Sequence, residues 1–112
     1  MDITVDHRGD VAVVVLPVEE LDASSVEEFK RDITPVLEAH TKLVFDLSRL
    51  RFVDSSGLGA FLSCLRHVNA KGGDVKLCGM SKPVQTVFEL VRLHRIFAIL
   101  GTQEEAVRAF AP

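Results

Sequence analysis

The sequence predicts an α/β fold, with a mixed, mostly parallel sheet, an antiparallel edge hairpin and about four helices. Three observations carry that expectation. From Lys42 onward, strand-like apolar runs alternate with helical patterns, the signature of parallel strands joined by helical crossovers. The run Lys42 to Leu47 is almost continuously apolar, as suits a central strand covered on both faces. At the start of the chain, two short apolar segments flank Arg8-Gly9-Asp10, a hairpin turn. With 112 residues, 47% hydrophobic and 26% charged, and with no linker or polar low-complexity tract, the chain reads as one folded domain spanning residues 1–112.

The elements follow in order. Ile3 and Val5 alternate with Thr4 and Asp6 in an edge strand, and Val11 to Leu16 return beside it. Asp22 or Ser24 can cap the first helix, with Ser24 and Glu27 at capping-box spacing. Val26, Phe29, Ile33 and Leu37 form its apolar face, and Pro35 predicts a bend or restart, because proline removes a donor and crowds the Arg31 carbonyl. In the central strand, Asp46 is expected to face a polar neighbour. A second helix, with Leu58, Leu62, Leu65 and Val68 on one stripe, runs to about Asn69 and closes at Lys71-Gly72-Gly73, where Lys71 suits the negative end of the helix dipole. Val75 and Leu77 mark a further strand. Ser81-Lys82-Pro83 opens a helix with Val84, Val87, Phe88 and Val91 on one face. Ile96 to Leu100 is a short apolar run, and Thr102 with Glu105 caps the last helix before Ala106, Val107 and Phe110.

Composition narrows the function. A net charge of −3 with both signs mixed argues against direct nucleic-acid binding, which needs clustered Lys and Arg. The only basic cluster, Arg92, His94 and Arg95, reads as a solvated helix end. No apolar run approaches the roughly 20 residues of a membrane span, and the start lacks a signal-peptide pattern, so a cytoplasmic protein without membrane insertion is expected. Cys64 and Cys78 have no partner at metal-ligand spacing and read as reduced, packed thiols. No metal site or cofactor is expected. The four histidines, His7, His40, His67 and His94, are scattered and read as surface or boundary residues.

The informative stretch is Val53-Asp54-Ser55-Ser56-Gly57-Leu58-Gly59, which leads into a helix through two adjacent hydroxyls. A helix needs one N-cap residue, and Asp54 or Ser55 can serve, so the remaining polar groups are surplus. Two glycines in a first helical turn, each costing about 1 kcal/mol relative to Ala, point to backbone that something approaches closely, with Leu58 between them expected at the surface. A site of binding or modification follows, with Ser55 and Ser56 equally placed by spacing. Enzyme readings fail on specifics. No Lys follows the glycines as a phosphate-binding P-loop requires, and neither serine has glycines two residues on both sides, as a nucleophile elbow does. The acidic pairs Glu19-Glu20, Glu27-Glu28 and Glu104-Glu105 lie in loops or at helix starts, where solvation and the helix dipole account for them.

Lys42 to Gly59, reading KLVFDLSRLRFVDSSGLG, resembles the signature of the STAS domain, and within it the stand-alone bacterial anti-sigma factor antagonists. Leu21-Asp22 is similar to the Leu-Asp that precedes the first helix of that family, and Val87-Phe88 to Ile96-Phe97 with Glu104-Glu105-Ala106 is similar in a less specific way. Pro35 departs from the pattern. The resemblance covers nearly the whole chain and implies a single STAS-like domain that is not an enzyme. It implies partner switching: the unphosphorylated protein binds an anti-sigma factor with serine kinase activity and releases a sigma factor, phosphorylation ends that complex, and a PP2C-type phosphatase resets it. The residue phosphorylated in the family corresponds to Ser55, with Ser56 at the neighbouring Ser/Thr position. Partner binding is expected from Asp22, Asp54, Ser55, Ser56, Gly57, Leu58 and Gly59, with Gly79, Met80 and Ser81 nearby, because loops that follow parallel strands share one sheet edge. The competing readings are an accessory STAS subunit that binds a transporter ATPase in a membrane transport complex, and, more remotely, a small-nucleotide-binding enzyme.

Overall fold

Alternation of side chains across the pleat sorts the apolar residues of this sheet onto two faces, and the helices cover them unequally. The computed structural model describes residues 1–112. Strands β1 (Thr4–Arg8) and β2 (Val11–Val15) form the expected antiparallel hairpin, and β1 is an edge. The helix α1 (Val26–Ala39) leads to β4 (Lys42–Asp46), α2 (Ser55–Asn69) to β6 (Asp74–Cys78), and α3 (Lys82–Leu90) with a 3-10 turn at Leu93–Arg95 to β7 (Ala98–Leu100). The chain order across the sheet is β1-β2-β4-β6-β7, parallel everywhere except in the hairpin. Helix α4 (Gln103–Arg108) follows.

Ala12, Val14, Leu43, Phe45, Val75 and Leu77 face the main core, where they meet α1, α2 and α3. Val11, Val13, Val44 and Cys78 face the other way, onto Ala106 of α4. Phe61 of α2 sits at the centre of the larger core, 5.9 Å from the Phe29 ring, 6.0 Å from Phe45 and 5.9 Å from Phe88 between centroids. That packing fixes α2, and with it the helix start at Ser55, against both neighbouring helices and the sheet. Asp46 finds its polar neighbours: Gln103 Nε2 donates to Oδ2 at 2.6 Å and the Ser48 N–H to Oδ1 at 2.8 Å.

One feature was invisible to periodicity. β3 (Glu20–Leu21) and β5 (Phe52–Val53) form a separate two-stranded parallel pair, with Leu21 opposite Val53. Two residues are too few to show a period, and Phe52 is 52% exposed.

Five expectations change. The Ser24–Glu27 capping box does not form: Ser25 occupies the N-cap of α1, and Ser24 bonds to Asp22 instead. α1 neither breaks nor restarts at Pro35, because burial of Ile33 and Leu37 on either side holds it, while Pro35 and Arg31 are exposed where water can serve the freed carbonyl. Lys71 does complement a helix C-terminus, but that of α1: its ammonium donates to the carbonyls of Leu37, Glu38 (3.0 Å) and His40 (3.1 Å). Val91 ends α3 at 53% exposure rather than joining the buried face of Val84 and Phe88. Two of the scattered histidines meet, His7 and His40. Cys64 and Cys78 are buried free thiols, as expected; burial pushes each up to about 12, with Asp46 and Glu104 adding to the effect at Cys78.

Candidate functional site

The register of the small parallel pair builds the site. With Leu21 beside Val53, the next residues, Asp22 and Asp54, leave their strands side by side, and the Asp54 N–H donates to the Leu21 carbonyl at 3.3 Å. Asp54 is the N-cap of α2, in extended conformation (φ −102°, ψ −173°), and its carboxylate spans two elements. Oδ1 accepts from the Gly57 N–H at 3.0 Å, the N-cap bond proper, while Oδ2 accepts from the Ala23 N–H at 3.1 Å in the loop before α1.

Asp22 organises that loop from the other side. Its Oδ1 accepts from the Ser24 hydroxyl at 2.6 Å and the Ser24 N–H at 3.0 Å, and its own N–H donates to Ser25 Oγ at 3.1 Å. The Ser24 hydroxyl above all, with the Ser24 and Ser25 bonds that support it, holds the Asp22 carboxyl below the usual carboxylate range. The side chains of Asp22 and Asp54 therefore frame the start of α2.

Gly57 is required by close approach. Its backbone lies against the Leu21 carbonyl, leaving no room for a side chain, and a Cβ there would also meet Val53 Cγ2 at 2.6 Å. Gly59 is different: it is exposed, and a Cβ there would meet nothing within 4 Å. The first glycine is explained inside the molecule, and the second leaves open space on its surface. Leu58 between them is buried at 8% exposure, contrary to expectation, because the first turn of α2 packs onto the core.

Of the two hydroxyls, Ser55 is exposed and Ser56 half-buried. None of the hydrogen bonds that hold this corner uses the Ser55 side chain. As the first residues of α2, Ser55 and Ser56 also carry N–H groups with no acceptor inside the helix, at its positive end.

Ser55, Leu58, Gly59, Leu62, Val91 and Leu93 line an open cavity of about 240 Å³ between α2 and the end of α3. Leu90, next to Val91, is 77% exposed. Leu62, Val91 and Leu93 had no place in the sequence-based site. Leu62 and Val91 fell on apolar helical stripes, and spacing alone does not separate the rim of a stripe from its centre. Gly79, Met80 and Ser81 lie at the same end of the sheet. Gly79, at φ +74°, packs against Asp46 and Ser48, and the Ser81 hydroxyl reaches the Leu50 carbonyl at 3.5 Å. No hydrogen bond joins them to Ser55, and Met80 lines a different hollow, with Gln85, Ile99, Leu100 and Gly101.

Residues 2–106 match the family model of the STAS domain. The chain belongs to the STAS domain family. Among curated relatives it is similar to the anti-sigma F factor antagonist of Paenibacillus polymyxa, 28% identical over 109 residues that cover 96% of this chain and 92% of that one. Among solved structures it is similar to the anti-sigma factor antagonist SpoIIAA in its unphosphorylated form, at 29% identity and a TM-score of 0.79, covering 96% of this chain and 95% of that one. It is similar as well to the Bacillus cell fate determinant SpoIIAA in the phosphorylated form, at 28% identity and a TM-score of 0.71, covering 96% and 98%. No helix of this STAS chain is long and apolar enough to cross a membrane.

Proposed function

We propose that this protein is a cytoplasmic anti-sigma factor antagonist that works by partner switching, without catalysis of its own. Unphosphorylated, it binds an anti-sigma factor that is also a serine kinase, and so frees a sigma factor; phosphorylation on Ser55 ends the complex, and a PP2C-type phosphatase restores it. The observation that carries this reading is the contrast in exposure at the start of α2, where neither serine hydroxyl is committed to an internal bond but Ser55 is exposed and Ser56 half-buried. Similarity to relatives named as anti-sigma factor antagonists, one of them solved in a phosphorylated form, supports the same reading.

The physics of the switch follows from the setting. A phosphate adds about −1.5 to −2 charge. Within the domain the positive end of α2 tolerates it, although Asp54 and Asp22 lie close by, so the fold survives modification. Across an interface the same charge meets whatever the partner packs there. A loss of about 3 kcal/mol weakens binding roughly a hundredfold, which suffices for a switch. The partner surface comprises Asp22, Asp54, Ser55, Ser56, Gly57, Leu58 and Gly59, extended by Leu62, Val91 and Leu93 along the groove, with Gly79, Met80 and Ser81 flanking it at the same sheet edge. Leu58 and Gly57 act from beneath, by shaping the turn.

The test is affinity capture with wild-type, Ser55→Ala and Ser55→Asp protein, followed by mass spectrometry of partners and phosphosites. A kinase-fold partner retained by wild-type and Ser55→Ala protein and lost with Ser55→Asp is the expected result, with phosphate absent from the Ala protein. Phosphate persisting on Ser55→Ala protein would overturn the assignment to Ser55. Capture of a transporter ATPase and no serine kinase would favour a transport-complex subunit.

A further inference from the structure

At the opposite edge of the sheet from Ser55, beside the starts of β2 and β4, two histidines 33 residues apart bring their Nε2 atoms to 3.0 Å. His7 projects from the edge strand β1 and His40 stands at the C-cap of α1. We propose that this pair is a two-histidine site for a divalent transition metal ion of the imidazole-preferring kind, copper(II) or nickel(II), completed by water.

Three features support the assignment. The first is orientation. His40 Nδ1 lies 2.9 Å from the Val36 carbonyl, to which only an Nδ1–H can bond, so in the neutral ring the Nε2 lone pair points at His7. A hydrogen bond from the remote ring nitrogen to a backbone carbonyl is the usual support of a metal-ligating histidine. The second is separation. With metal–nitrogen bonds of about 2.0–2.1 Å, two nitrogens 3.0 Å apart subtend about 94° at a shared ion. That angle is the cis angle of a tetragonal or octahedral centre, the preference of copper(II) and nickel(II), and is tight for tetrahedral zinc. The rings now meet head-on, with centroids 5.2 Å apart, so coordination asks each ring to swing its Nε2 off the line between them toward a shared ion, and His7 to carry its hydrogen on Nδ1 instead of Nε2. The third is access. His7 is exposed and His40 half-buried, so the ion enters freely and water fills the remaining positions.

No third His, Cys, Asp or Glu joins the pair. The charges around it are Lys71, whose ammonium is engaged by the carbonyls of Leu37, Glu38 and His40, and Lys42, two residues beyond His40 and paired with Asp10 at 2.7 Å. The site therefore relies on imidazole affinity rather than on negative charge, which places copper(II) ahead of nickel(II) and zinc. An ion held here ties the edge strand to the end of α1 and stabilises the folded state, because the unfolded chain does not hold the two rings together.

Calorimetric titration of the full chain with copper(II), nickel(II) and zinc(II) at pH 7.5, paired with thermal melts, tests the proposal. The expected result is one copper(II) per chain, bound more tightly than nickel(II) or zinc(II), with a rise in Tm. Affinity should fall at least tenfold in His7→Ala and in His40→Ala protein, fall again on acidification to pH 5.5, and be unchanged in a His67→Ala/His94→Ala variant. Circular dichroism of His7→Gln protein, which changes only an exposed side chain, separates lost binding from lost folding. Equal copper(II) binding by wild-type and His7→Ala/His40→Ala protein would overturn the assignment, as would wild-type affinity no better than that of a lone surface histidine.

Discussion

Gly57 of α2 lies with its backbone directly against the carbonyl of Leu21, and this approach clamps the Asp22 loop to the helix start that carries Ser55. The two glycines of the turn therefore respond oppositely to the same substitution. Gly57→Ala forces a methyl group into the Leu21 and Val53 contacts and is expected to cost about 1–3 kcal/mol, the usual range for overpacking. Gly59→Ala meets open space in a helix and is expected to stabilise the fold by up to about 1 kcal/mol, while weakening the proposed kinase complex by filling the partner's side of the groove. Urea unfolding of both proteins, with partner binding measured alongside, checks the pair; a stabilised Gly59→Ala protein with wild-type affinity would show that no partner approaches there.

Asp54 joins two elements with one carboxylate, so its removal should do more than uncap a helix. Asp54→Ala loses the bond to Gly57 and the bond to Ala23, an expected destabilisation of about 1–2 kcal/mol. Asp54→Asn keeps one acceptor oxygen and should recover about half of that. Hydrogen exchange gives the finer readout: faster exchange at Ala23 as well as at Gly57 in the Ala protein is expected, and loss of protection at Gly57 alone would mean that the bridge to the loop contributes nothing.

Lys71 holds three carbonyls at the end of a helix 31 to 34 residues away. Lys71→Met retains the aliphatic stem and removes the charge, so the last turn of α1 should fray, at a cost of about 1–2 kcal/mol. Denaturant unfolding measures the cost. NMR amide exchange at residues 37–40 localises it, and fraying at the end of α2 instead would contradict the assignment.

The Asp22 carboxyl is held below its ordinary range when folded, chiefly by the Ser24 hydroxyl. Its contribution to stability is therefore complete above the unfolded carboxylate pKa, about 3.9, and is lost as pH falls through the lower folded value. Asp22→Asn protein should be less stable than wild type at pH 7, and the difference should shrink from about pH 4 downward. Urea midpoints at pH 7, 4 and 3 test the sign, and a difference that widens in acid would refute it.

Much of this architecture was legible in one dimension. The hairpin, the central strand from Lys42, the helix beginning after Asp54, the Pro83 helix start and the buried stripe of Val26, Phe29, Ile33 and Leu37 are all local consequences of side-chain period, caps and turn chemistry. The motif around Ser55 was equally local. Sequence spacing does not distinguish the two neighbouring hydroxyls, whereas in the folded chain they differ in exposure, Ser55 being exposed and Ser56 half-buried. Only tertiary structure brought Asp22 beside Asp54, through strands of two residues that carry no readable period. It alone turned Lys71 to the end of another helix, set Leu62 and Val91 along the groove of Ser55, and brought His7 against His40. The physical reason is common to all of these. Periodicity and capping depend on neighbours within about one helical turn, whereas a contact between residues tens of positions apart depends on how whole elements pack, and the chain records that only collectively.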